Sequence, residues 1–266
     1  MKKKANVFNA VFIRSIKDNF SAYGLSLVTQ RVVSLLVSLL LPLSLYFFVF
    51  NQQVSSAFKH SSSSNYVLFL FLGFIAYSTS FSLLMSIGRS IVTEFRQGTF
   101  QYYIYSGANL LIYLIAVSLT GIILSFLESV ILFIFLFITN PQISFLQLII
   151  GYGLIIFSSV SIAVFVGSIM LFFNNTYLVQ NTISVLISFL CGISFPIKFL
   201  PKWVQYISEA IPLTSALDIF RNKAILINID SWKNDVIFNI FLSIIYLTVG
   251  YFFLQKTIKV RLESLA

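Results

Sequence analysis

Among its 266 residues the chain has one cysteine, one histidine and eight acidic residues, and each scarcity removes a class of chemistry. With Cys191 alone, no intrachain disulfide and no thiolate metal cluster can form. It reads as a small apolar filler. His60 sits beside the serine run 61–64 and has no second imidazole with which to build a zinc site. A membrane-embedded enzyme would show paired carboxylates, an H-E-x-x-H motif or a nucleophile with its base, and none is present. The sequence also lacks the G-x-x-x-x-G-K-[ST] loop whose lysine and backbone cradle nucleotide phosphates. Charged residues make up only 9%, against about a quarter in ordinary soluble domains.

What the chain does have is apolar length. Hydrophobic residues are 58% of it, concentrated in six stretches at 32–50, 66–87, 110–138, 143–173, 177–195 and 236–254. Each is close to or above the roughly 20 residues that a helix needs to cross a hydrocarbon core. Backbone groups in lipid must be satisfied within the segment, so the expected class is an all-α integral membrane protein with six transmembrane helices. The expected layout over 1–266 is one membrane domain: an amphipathic N-terminal helix at 1–31, the six-span bundle at 32–254 and a cytoplasmic tail at 255–266.

The net charge of +9 follows topology rather than nucleic-acid binding. With a cytoplasmic N-terminus, six crossings return the C-terminus to the same side. Eleven basic residues, including Lys2, Lys3, Lys4, Arg14, Arg31, Arg96 and Arg261, then face inward, and six, including Lys198, Lys202 and Arg221, face outward. That bias is the one the positive-inside rule requires. The inward surplus suits contact with anionic lipid.

A cleavable signal peptide is not expected, because the first thirty residues mix charge with apolar positions. Phe8, Phe12, Ile16, Phe20, Tyr23 and Leu27 recur every three or four residues, which predicts one apolar helical stripe lying in the inner headgroup layer.

Two segments between spans stand out. After the second stretch, Glu94, Arg96, Gln97 and Gln101 offer polar contacts beside Phe95, Phe100, Tyr102, Tyr103 and Tyr105. Gly98 can stop a helix in the left-handed region, and Thr99 can cap the next one with its hydroxyl. The segment is either a short helix presented to a partner on the cytoplasmic face or an interfacial loop with aromatic anchors. After the fifth stretch, Pro196, Pro201 and Pro212 interrupt an apolar run containing Trp203. Proline ends helices at the preceding residue, so the fifth span should stop near Phe195 and a short helix should run from about Pro201 to Ala210. Half-length helices buried by protein would make a re-entrant pair, and an outer interfacial hairpin is the other option.

Glu128 is the one acid inside a span. A carboxylate there faces a partner or an aqueous path, and Ser125 is its neighbour one turn away. It is a candidate for the translocation path, with a hydrogen-bonded packing role as the alternative. Ser159, Ala163 and Gly167, and likewise Ser34 and Ser38, form small-residue stripes that let helix backbones approach.

The run Glu94-x-Arg96-x-Gly98-Thr99, the block G-x-x-x-P-x-x-x-L-P-x-W from Gly192 to Trp203 and the Pro212-Leu-Thr that follows resemble the permease subunits of type-2 ATP-binding-cassette exporters. The resemblance covers nearly the whole chain. It implies that Glu94, Arg96, Gln97, Gly98, Thr99 and Phe100 lie near the coupling helix that docks on an ATPase. It implies equally that Pro196, Pro201, Trp203 and Pro212 belong to re-entrant helices at the outer gate. ATP and magnesium would be held by the partner ATPase, with no cofactor in this chain. A second permease copy or paralogue would complete the assembly in a cell membrane, as in bacterial exporters. The implied function is export of a drug, antimicrobial peptide, lipid or glycolipid. A teichoic-acid-type lipid-linked glycan exporter, a self-immunity pump and an ATP-independent transporter or channel are the alternatives.

Overall fold

The computed structural model describes residues 2–21, 24–49, 51, 65–105, 109–139, 145–173, 176–225 and 232–263, and among them every regular element is helical. The helices in chain order are α1 (Lys2–Ser21), α2 (Gly24–Ser44), α3 (Tyr66–Leu83), α4 (Arg89–Arg96), α5 (Thr99–Tyr105) and α6 (Leu110–Thr139). They continue as α7 (Phe145–Phe173), α8 (Thr176–Leu190), α9 (Lys202–Glu209), α10 (Pro212–Ile225) and α11 (Trp232–Glu263). A π-helical turn at Leu84–Gly88 joins α3 to α4, so one rod runs from Tyr66 to Arg96. A second π-turn, Leu45–Val49, extends α2. His60 and the serine run lie outside the described residues.

Among the described residues five helices are long and apolar enough to cross a membrane: Thr29–Val49, Tyr66–Arg96, Leu110–Ile138, Leu148–Phe173 and Lys233–Arg261. The stretch expected to make the remaining crossing, 177–195, differs. Its helix α8 has 15 residues, and at 1.5 Å per residue that is about 22 Å, short of a hydrocarbon core of about 30 Å. It stops at Leu190 rather than near Phe195. Gly192 takes φ +68°, its N–H donates to Phe189 O at 3.3 Å, and the Ile193 N–H donates to Ser188 O at 3.4 Å. This Schellman closure ends the helix before the first proline can.

α3 is the central strut. In its most apolar window 83% of residues are buried, against 11% in α2 and 17% in α11, so apolar surface on those two outer helices awaits lipid or protein. α7 packs on α3 along Ser159, Ala163 and Gly167, with Ser80 and Ser159 sharing a 2.7 Å hydrogen bond and Gly167 resting against Gly88. That small-residue stripe is a seam within this chain, whereas Ser34 and Ser38 on α2 are exposed. α10 and α11 close over the other side of α7.

α1 lies against α6, but its inner line is not the expected one. Phe8 and Phe12 stack at 5.9 Å and are half-buried, while Ser15 is the buried residue and bonds Thr120 at 2.9 Å. Ile16 is half-buried as well, and Tyr23 lies outside the described residues. At the other end α11 stays helical to Glu263, through the region expected to be a tail.

Candidate functional site

The elbow between α4 and α5 is built on Gly98, whose φ of +71° turns the chain as expected. The Thr99 hydroxyl behaves differently from a cap on α5. It donates backward to Glu94 O at 3.1 Å, satisfying an end carbonyl of α4, and it accepts from Arg14 Nη2 at 3.2 Å. Arg14 also donates to Gln97 Oε1 at 3.2 Å, so α1 is tied to both flanks of the turn. Asp18, one turn along α1, lies 3.6 Å from Arg14 Nε and holds the guanidinium in place.

Of the six residues of the elbow motif, Glu94 and Phe100 are buried, Gly98 and Thr99 half-buried, and Arg96 and Gln97 exposed. Glu94 is buried beside Tyr113, with Arg14 as a neighbouring cation. Phe100 is fully buried and packs edge-to-face on Tyr113, centroids 5.3 Å apart. Arg96, Gln97 and Tyr102 are exposed. Tyr103 donates to Asn109 O at 2.9 Å, and burial pushes its phenol above the ordinary value, which keeps it a donor. Asn109 in turn accepts from the Leu111 N–H at 2.9 Å, capping α6. Aromatic packing therefore fixes the elbow from within and leaves a polar outer face.

Glu128 is 3% exposed, and its partners come from other helices rather than from Ser125. Arg31 Nη1 of α2 lies 2.9 Å from Glu128 Oε1, and the Ser82 hydroxyl of α3 donates to the same oxygen at 3.4 Å. Arg31 also reaches Ser82 at 3.3 Å. Arg31, expected among the inward-facing charges, is thus the ion-pair partner of Glu128, the arrangement in which a buried carboxylate is tolerated.

At the opposite end of α3, Pro196 starts a 3₁₀ turn at Ile197–Phe199, Pro201 precedes α9 and Pro212 opens α10. Proline suits these starts because first-turn N–H groups have no helical acceptor. α9 occupies the expected position and exposes Trp203 and Tyr206, whereas α10 buries Leu213, Ala216, Leu217 and Phe220. Pro196 and Pro212 are buried, and Pro201 is exposed.

Two buried polar residues here escaped the sequence reading. Arg221, placed there among the outward charges, is 6% exposed. It donates to Gly192 O at 2.8 Å, Ile193 O at 2.7 Å and Phe69 O at 3.2 Å, and lies 3.4 Å over the Phe69 ring. Asn239 of α11 donates to Pro212 O at 2.7 Å and Ser215 Oγ at 2.8 Å, fastening the start of α10. A lone amide inside an apolar stretch was the available signal for Asn239; nothing local distinguishes Arg221 from a loop cation.

Compared with known families, the one described as ABC-2 type transporter matches residues 7–223. No curated protein matches the chain.

Proposed function

This chain belongs to the ABC-2 type transporter family, and from that premise we propose that it is the membrane-spanning permease half of an ATP-driven exporter. A separate ATPase subunit binds ATP and magnesium, and a second copy or a paralogue supplies the other half of the path. The carrying observation is the elbow: the rod from Tyr66 to Arg96 turns at Gly98 and presents Arg96 and Gln97 on a scaffold closed by Phe100, Tyr113 and Arg14. Force applied to that face enters the most buried helix of the bundle directly.

In this reading the chain makes six crossings of the cell membrane with both termini cytoplasmic, and α8 is the short fifth. Pro196, Pro201, Trp203 and Pro212 shape the outer gate, and Glu128 borders the path. The exposed apolar faces of α2 and α11 support assembly beside lipid and a second half, and an amphipathic or hydrophobic cargo follows from such walls.

Reconstitution with a candidate ATPase tests the proposal. Arg96→Ala and Gln97→Ala should insert normally yet lower cargo-stimulated hydrolysis about fivefold each, the size of an interface contact worth ~1 kcal/mol. Wild-type coupling in both variants, or transport in vesicles free of any ATPase, would overturn it.

A further inference from the structure

The short helix α9 (Lys202–Glu209) sits between two clasps that fix its depth in the fold. Before it, Tyr66, the first residue of the Tyr66–Arg96 span, donates its hydroxyl to Ser194 O at 3.4 Å, and a Cβ on Gly73 would collide with Ile193 O. The turn after α8 therefore lies against about the first 10 Å of α3. After α9, Asn239, less than about two turns into the Lys233–Arg261 span, donates to Pro212 O at 2.7 Å. The chain thus leaves and rejoins the bundle close to where two spans begin, at the depth of the head groups and the first acyl carbons.

At that depth α9 has three faces. With successive residues about 100° apart, Val204 and Ser208 share one side, and both are buried. Trp203, Tyr206 and Ile207 share the second and are 68%, 73% and 48% exposed, with Phe199 of the preceding 3₁₀ turn also exposed. Lys202, Gln205 and Glu209 make the third, whose two charges are of opposite sign. The Gln205 amide donates to Leu200 O at 2.7 Å and to Lys198 O at 3.3 Å, which holds α9 on the 3₁₀ turn and fixes where its faces point. A helix wholly in water leaves the second face unused, and one inside hydrocarbon strands the charges of the third. Trp and Tyr, with apolar rings and polar tips, settle at the membrane–water boundary, where a lysine stem can lie along them. A seam with a second copy needs about 800 Å² from each partner, more than three side chains on so short a helix supply.

We infer that α9 docks on a lipid surface. Trp203, Tyr206 and Ile207 enter the head-group layer, the helix lies along the membrane plane, and Lys202 and Glu209 stay on its aqueous side. Because those two charges offset each other, zwitterionic lipid suffices. The inference requires the membrane-spanning bundle and not ATP-driven export, so its test contains neither ATPase nor cargo.

The full chain with Trp232→Phe, which leaves Trp203 as the sole tryptophan, is reconstituted in phosphatidylcholine vesicles. Its fluorescence is read with brominated phosphatidylcholine and with aqueous iodide on both sides. Bromine next to the head groups should quench Trp203 about twice as strongly as bromine at the chain ends, as for a ring about 5–10 Å deep. Iodide should quench it far less than it quenches free tryptophan. Ile207→Asp, on the same face, should raise the iodide effect and lower the bromine effect, while Lys202→Gln should change neither. If Trp232→Phe does not fold, the difference between wild type and Trp203→Phe yields the same signal. Quenching by iodide alone would place the face in water, quenching by neither would place it under protein, and stronger quenching from the chain ends would place it in hydrocarbon. Each of these results overturns the inference, as would an Ile207→Asp protein indistinguishable from Lys202→Gln.

Discussion

Arg221 shows how much one side chain can organise. Its hydrogen bonds reach backbone carbonyls of the α8 terminus and of α3, which positions the outer segment against the central strut. Gly73 makes room for it: a Cβ there would collide with Ile193 O and the Arg221 guanidinium. Arg221→Leu should destabilise the protein by about 3 kcal/mol, since it leaves buried carbonyls without a donor. Thermal denaturation in detergent checks this, and a midpoint equal to wild type would refute the assignment. The Arg31–Glu128 pair behaves as a coupled unit. Arg31→Leu or Glu128→Leu alone should cost about 3 kcal/mol by stranding a buried charge, while the double substitution should recover most of that loss. Simple additivity of the two losses would show that the residues act independently.

Elements were legible in proportion to how local their causes are. The position of α9 and the break at Gly98 follow from proline and glycine, whose backbone effects need no knowledge of the rest of the fold. The end of α8 was misplaced by several residues because a glycine closure preceded the proline signal. The burial of Ser15 within an aromatic-rich helix was invisible too, since Thr120 is distant in sequence. At the elbow, a Cβ on Gly98 would meet nothing within 4 Å, so Gly98→Ala tests backbone conformation alone. That substitution should cost about 1–2 kcal/mol locally. Membrane insertion and yield should be unchanged while ATPase stimulation falls; full stimulation would show that the elbow geometry is not required.

At the scale of the whole molecule, apolar run length disclosed the class and most crossings, because lipid imposes one rule on every span. The candidate site was less accessible. Glu128 stood out as an intramembrane acid, yet its partners Arg31 and Ser82 come from two other helices, and no local pattern selects them. Arg31 and Arg221, expected on opposite sides, are engaged by Glu128 and by backbone carbonyls respectively, so leaving both out does not alter the expected charge bias. The number of crossings is open to direct measurement because Cys191 is the sole cysteine and is buried. In a Cys191→Ala background, Lys3→Cys and Lys256→Cys should label from one side of the membrane and Lys202→Cys from the other. Labelling of positions 3 and 256 from opposite sides would replace six crossings with an odd number.

The widened turn at Leu84–Gly88 sets a phase. A π-turn inserts one residue into the α-helical count, and one residue corresponds to about 100° of rotation about the axis. Everything below it, from Arg89 to the Gly98 corner, is therefore aimed by that single insertion. Were the turn to tighten to ordinary winding, Gln97 would swing away from Arg14 without the upper half of the rod moving. The aim of the elbow is thus set where Gly88 and Gly167 bring two backbones together.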